Sequence, residues 1–243
     1  MWELYDAILD GLPQNQWVKG LCASTCWSLA ETDAGGCGIA MTTPFDARPP
    51  LFPCGLAGCS VREAAGAVKS WNLTESGFAL AAANAFYNTA ARVDALQASE
   101  PYDNYCTAGL DLTGRTVGVV GHLKMPLDIF QPAKQVYILE RHPQAGDYPD
   151  SACDFLLPAC DLVLITGSTL VNKTLPHLLE LCRDAYVILT GPSVPLCPAL
   201  LELGVDRLAG MAVTDKDGMR RHVEQELPGP PFPYGGTFLL KRG

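Results

Sequence analysis

Arg115-Thr116-Val117-Gly118-Val119-Val120-Gly121 is a short run of β-branched residues closed by a glycine. Its apolar positions do not alternate with polar ones, so it reads as a strand covered on both faces. Further runs of this kind follow at 135–139, 161–166, 185–190 and 206–213. Helical patterns accompany them at 124–131, 152–159, 174–183, 198–203 and 215–226. Ser151-x-x-Asp154 has the form of a capping box for the second helix. Thr174 is placed to cap the third, and Gly204 to end the fourth. Such alternation predicts an α/β fold with a parallel, Rossmann-like sheet. From Leu227 onward the chain is too rich in proline for a regular element, so 227–243 is expected to be a Pro/Gly-rich tail.

Toward the N-terminus the texture differs. Leu4, Tyr5, Ile8 and Leu9 give 2–11 the period of an amphipathic helix, stopped at Gly11. Residues 16–28 and 37–42 read as strands of an antiparallel hairpin, with Gly35-Gly36 in its turn. A proline-rich loop spans 44–59. Ser60-Val61-Arg62-Glu63 has the form of a capping box and opens a helix to about Ser70. Thr74 is expected to cap a helix running to about Ala91, whose interior from Gly77 to Ala85 is small and apolar nearly all round. Such a helix is buried on several sides. A polar connection over 93–112, with Pro101, Asn104 and Gly109, separates a small α+β domain (1–95) from the parallel-sheet domain (96–226).

The 243 residues carry 26 acidic and 17 basic side chains, a net charge of −9. Phosphate neutralisation needs a basic surface, so nonspecific nucleic-acid binding and attraction to anionic lipid are excluded. No apolar run approaches the ~20 residues that span a bilayer. The acidic start, Met1-Trp2-Glu3-Leu4-Tyr5-Asp6, lacks the basic region of a signal peptide, and a cytoplasmic location is the default expectation. Ten cysteines are then expected to be reduced, and no Cys-x-x-Cys pair occurs among them. Cys153, Cys160, Cys182 and Cys197 fall in apolar or helical patterns as small hydrophobes. Cys22 and Cys26 would share one face of an extended strand, where they could serve a soft metal.

In an open parallel sheet, ligands sit beyond the carboxyl ends of the strands. Those ends carry Gly121-His122, Glu140-Arg141, Thr166-Gly167-Ser168-Thr169 and Gly191-Pro192-Ser193. Gly121 lets a ligand approach the backbone. Gly114-x-x-x-Gly118-x-x-Gly121, however, is not the dinucleotide fingerprint. Glu140 can hold a ribose or pair with Arg141. His122 can be an acid–base catalyst, a metal ligand or a backbone partner. His142, His177 and His222 lie outside this set and read as surface or helix-face residues. Thr166 to Thr174, with Gly167, Ser168, Thr169, Asn172 and Lys173, offers hydroxyls, an amide and a cation just before a helix. These are the parts of an anion cradle, or of a helix cap with its turn. The P-loop and Gly-x-Ser-x-Gly patterns are both absent.

Thr166-Gly167-Ser168-Thr169-Leu170-Val171-Asn172-Lys173-Thr174-Leu175 resembles the signature of a bacterial and archaeal family of unknown function, associated by its label with heavy-metal chelation (domain of unknown function 364). Gly118-Val119-Val120-Gly121-His122, Glu140-Arg141-x-Pro143, Gly146-Asp147, Gly191-Pro192-Ser193 and Gly204-Val205-Asp206-x-Leu208-Ala209-Gly210 agree in order. Ser76-Gly77-Phe78-Ala79-Leu80-Ala81-Ala82-Ala83-Asn84-Ala85 resembles the accompanying domain of that family. Where family members often follow Gly-His with Phe-Pro, Leu123-Lys124 stands here. The resemblance implies an enolase N-terminal-like domain, a Rossmann-like domain and a site where they meet, to which Asn84 would contribute. It favours binding or processing of a small chelator, or of a pterin- or flavin-like molecule. A nucleotide-like ligand would lie over Gly121 and Glu140, with an anionic group at 167–173. Two alternatives stand beside it. One is a non-catalytic metal or metallo-ligand carrier using Cys22, Cys26 and His122. The other is a methyltransferase-like enzyme holding S-adenosylmethionine at Glu140. The apolar N-terminal half leaves room for a homodimer.

Overall fold

The computed structural model describes residues 2–99, 106–123 and 126–242. The first helix, α1 (Glu3–Asp10), buries Leu4, Tyr5 and Ile8 on one face. A three-stranded antiparallel meander follows: β1 (Val18–Ala23), β2 (Trp27–Thr32) and β3 (Cys37–Met41). The single strand expected over 16–28 is therefore two. The reason is local: the Ser24 hydroxyl accepts the N–H groups of Cys26 and Trp27 at 3.3 and 3.0 Å, closing a tight turn.

The capping box forms as read, with Ser60 and Glu63 bonding each other's backbone at the start of α2 (Val61–Gly66). A 3-10 turn, Ala67–Lys69, extends it. The long small-residue helix is α3 (Leu73–Tyr87). Its cap is Asn72, whose Oδ1 accepts from the Glu75 N–H at 3.0 Å, and not Thr74. It ends at Tyr87, and the chain restarts as α4 (Ala90–Ala95). Gly38 of β3 lets the sheet lie against α3. A Cβ at Gly38 would stand 2.1 Å from the Ala85 nitrogen and 2.3 Å from the Ala81 oxygen.

The second unit is a seven-stranded sheet in the order β10-β9-β8-β7-β4-β5-β6. Its strands are β4 (Thr116–Val120), β5 (Gln135–Glu140), β6 (Tyr148–Pro149), β7 (Leu162–Thr166), β8 (Tyr186–Thr190), β9 (Arg207–Val213) and β10 (Gly235–Lys241). The first six are parallel in register, and β10 runs antiparallel to β9. The expectation of a tail without a regular element is thus corrected. Phe238, Leu239 and Leu240 pair with Gly210, Ala209 and Leu208, and that ladder outweighs the preceding prolines. Between strands lie α5 (Cys153–Leu156), α6 (Ser168–Val171) and α7 (Leu175–Leu181), and α8 (Lys216–Glu224) precedes β10.

Successive residues of the inner strands enter opposite cores. Val163, Ile165, Val187 and Leu189 face the core shared with the first unit. Leu162, Leu164 and Ile188 face a smaller core closed by 106–112 and Phe130. Both faces are covered, which is why these strands read as continuous apolar runs. The helices expected at 124–131 and 198–203 are 3-10 turns, Leu127–Phe130 and Pro198–Glu202. The capping box expected at Ser151 does not form, because Ser151 lies within a 3-10 turn, Asp150–Ala152, and Ala152 takes the cap position; Asp154 pairs with His177 at 2.9 Å. His222, read as a surface or helix-face residue, lies on α8 with its ring buried against Tyr234. Pro101, Asn104 and Lys124 lie outside the described residues.

Candidate functional site

The chain enters the sheet at an interior strand, β4. It adds β5 and β6 on one side, then β7 to β10 on the other. The order reverses between β4 and β7, and crevices form at such a point. Gly121 leaves β4 there with φ +95, and a Cβ would stand 2.8 Å from Thr166 Cγ2. Glycine is required on both counts.

Glu140 acts as a staple. Its Oε2 accepts the His122 N–H at 2.6 Å, and its Oε1 accepts those of Arg141 at 2.6 Å and His142 at 3.3 Å. The Arg141 side chain turns instead to Asp150, Nε to Oδ2 at 3.4 Å. The His122 ring meets Asp147, Nδ1 to Oδ2 at 3.1 Å. The Asp147 side chain is 5% exposed, against 36% for His122. Asp147 also accepts the Gln144 N–H at 2.9 Å. The sequence reading passed over Asp147 as a site residue, although Gly146-Asp147 stands among the motifs.

At the end of β7, Thr166 and Ser168 hydroxyls lie 3.2 Å apart, and the Thr169 hydroxyl donates to the Thr166 carbonyl at 2.7 Å. Gly167 packs against Val194. Asn172 Oδ1 accepts from the Thr174 N–H and hydroxyl at 3.1 and 2.7 Å. Lys173 has φ +66, and its Nζ donates to Ser76 Oγ at 2.6 Å and to the Val171 carbonyl at 2.7 Å. Burial pushes this amine down to about 8, with Glu75 opposing the shift. Most polar groups of the stretch thus have partners within the protein.

Another expected residue, Ser193, joins the two units, whereas Asn84 does not. Ser193, beyond Gly191 and Pro192 at the end of β8, accepts the Met41 N–H at 2.8 Å. Asn84 donates to the Ile39 carbonyl at 2.8 Å within the first unit, and its buried Oδ1 has no hydrogen-bond partner among the described residues. Asn88, absent from the sequence reading, donates to the carbonyls of Val194 and Met211 at 2.8 and 3.1 Å and accepts the Leu196 N–H at 2.8 Å.

Loops of both units meet in a cleft of about 580 Å³ lined by Phe45, Arg48, Trp71, Leu73, Arg141 and Asn172. The buried Glu75 carboxylate positions one wall by accepting the N–H groups of Leu51 and Phe52, both at 2.8 Å. Asn72 adds a bond to the Arg48 carbonyl at 3.0 Å, and Leu73 N–H one to Phe45 at 2.7 Å. Of the residues expected at the site, Asn172 lines this cleft. His122 is not among the lining residues, and Glu140 ties its backbone N–H to that of Arg141, which is.

Cys22 and Cys26 do not share a strand. Cys22 lies in β1, half-buried beside the core containing Cys37, and Cys26 sits exposed in the following turn. Among the described residues, no three His, Cys, Asp or Glu side chains gather as a metal site would need. Burial pushes the thiols of Cys153 and Cys160 up to about 11 and those of Cys37 and Cys182 up to about 12. Such thiols are inert at neutral pH. No helix among the described residues is long and apolar enough to cross a membrane.

The model of domain of unknown function 364, described as "Putative heavy-metal chelation", matches residues 108–233. That of domain of unknown function 4213, with the same description, matches residues 5–87. The chain belongs to this family. A crystal structure of a member of unknown function from Desulfitobacterium hafniense DCB-2 is 37% identical. It aligns over 99% of this chain and 98% of that one, with a TM-score of 0.89. A member from Pyrococcus horikoshii, 21% identical over 99% and 98% of the chains, shares the fold with a TM-score of 0.83. An uncharacterised protein of Methanocaldococcus jannaschii is 29% identical over 110 residues, and the match covers 42% of this chain and 42% of that relative.

Proposed function

We propose that the protein binds a small planar organic molecule, a chelator or a pterin- or flavin-like ring, in the cleft between its two units. Any heavy metal it handles would then be held by that molecule. The observation that carries this reading is the lining itself. Phe45 and Trp71 are half-exposed aromatic rings, and two arginines, Arg48 and Arg141, line the same cleft, Arg141 with its Nε also bonded to Asp150. Exposed aromatic surface beside paired cations suits a flat ligand with an acidic group. The family description, heavy-metal chelation, agrees with the chelator part of this reading. The protein's donor side chains do not converge on a metal of their own among the described residues.

The test uses tryptophan fluorescence, because Trp71 borders the cleft. Purified protein is titrated with pterin-6-carboxylate, riboflavin phosphate and S-adenosylmethionine. An anionic ring should quench the emission, and Arg141→Ala or Arg48→Ala should weaken its binding by about tenfold, the loss of one charge-assisted contact. Binding that ignores both arginines would place the ligand elsewhere. Binding of S-adenosylmethionine alone, lost in Glu140→Ala, would favour the methyltransferase reading.

A further inference from the structure

We infer that His122 and Asp147 form a proton-accepting pair, with His122 Nε2 as the acceptor and Asp147 as the residue that positions it. Four histidines are present, and their surroundings differ. His177 reaches the half-exposed Asp154 through Nε2, on the helical surface. His142 is exposed. His222 is buried, with Nε2 lacking a hydrogen-bond partner. His122 combines an accessible ring with a buried carboxylate on Nδ1.

The tautomer follows from that contact. An ionised carboxylate can only accept, so Nδ1 must carry the proton and the neutral ring leaves Nε2 bare. Asp147 is itself held, because the same Oδ2 accepts the Gln144 N–H at 2.9 Å. The backbone of His122 is pinned by a second carboxylate, that of Glu140. Both the position and the tautomer of the ring are therefore constrained before any ligand arrives. Such pre-arrangement is what a general base requires.

The location gives the base a task. Gly121 turns the chain out of β4 at the point where strand order reverses, and His122 is joined through Glu140 to Arg141, which lines the cleft. Chelating groups bind metals in their deprotonated form and release a proton as they do so. Here the proton leaves a ring N–H or O–H on the part of the ligand that extends from the cleft past Arg141 to His122, and passes to Nε2, forming the imidazolium. The electron pair stays on the ligand heteroatom, and the added negative charge of the ligand is met by Arg48 and Arg141 of the lining. This task rests on the cleft reading. The pair itself does not, and the experiments separate the two.

In ¹⁵N-labelled protein, two-bond proton–nitrogen correlations identify each tautomer. Neutral His122 should be the Nδ1–H form, and Asp147→Asn should return it to the Nε2–H form favoured by free side chains. Diethyl pyrocarbonate attacks unprotonated imidazole nitrogen, so His122 should be acylated at Nε2 at least ~5-fold faster than His142 in the same molecule. In Asp147→Asn that advantage should vanish. An Nε2–H His122, or one acylated no faster than His142, overturns the pair even if the variant fails to fold, since both measurements are made on the native chain. Calorimetry of pterin-6-carboxylate binding in two buffers of different ionisation enthalpy then counts protons. The count should change in His122→Gln, and an unchanged count overturns the proton role. If the probe does not bind to the native protein, the cleft reading and the proton role fail together, while the tautomer and acylation results still decide the pair.

Discussion

Lys173 adopts a left-handed backbone and places its amine between α3 and α6, bonded to a hydroxyl and a carbonyl. Burial lowers its folded pKa to about 8 from an ordinary 10.5. The unfolded chain therefore holds this proton more tightly than the folded one. Stability should rise with pH from about 8 to about 10.5 through this residue, and should be flat in it below 8. The buried thiols act oppositely, because their raised folded values make unfolding release protons above about 9. Urea unfolding of the native chain and of Lys173→Met between pH 7 and 10 isolates the lysine. The difference between the two curves should grow with pH in favour of the native chain, and a constant difference would count against the buried amine. At this scale the sequence marked His122 and Glu140, but not Asp147. Twenty-five positions separate His122 from Asp147, and only the return of the loop after β5 brings them to 3.1 Å.

The elements were more legible than their ends. The run from Gly77 to Ala85 declared a helix buried on several sides, and α3 is one. What its composition could not reveal is the neighbour. Gly36, just before β3, and Gly38 within it bring a sheet against its backbone, and a Cβ at Gly38 would meet the Ala85 nitrogen at 2.1 Å. Backbone cannot move aside as a flexible side chain can, so Gly38→Ala should cost more than about 3 kcal/mol, the upper end of ordinary overpacking. Thermal unfolding should show a sharply lowered midpoint. A midpoint within a few degrees of the native one would mean that sheet and helix are less closely packed. The same limit explains β10. Its glycines and the prolines before it argue against a strand in isolation, and only the exposed edge of β9 makes one there.

Across the whole molecule, buried polar contacts help to join the two units. Asn88 makes three hydrogen bonds to the segment after β8 and to β9. Ser193 holds Met41, and Tyr5 Oη donates to the Leu170 carbonyl at 3.1 Å. Asn88→Ala strands a buried N–H and two carbonyls, and should destabilise the fold by about 2–4 kcal/mol. Equilibrium unfolding in urea checks this, and a loss below about 1 kcal/mol would show that water replaces the amide. The alternation of strands and helices, the parallel sheet and the polar strand ends were set by local pattern, because apolar periodicity and glycine placement act over a few residues. The cleft was not. Phe45, Trp71, Arg141 and Asn172 lie far apart in the chain, and they converge because the sheet sets β5 and β7 on either side of β4 while α3 docks against α6. Such contacts depend on how whole elements pack, and that information is carried by the buried surfaces together rather than by any one stretch.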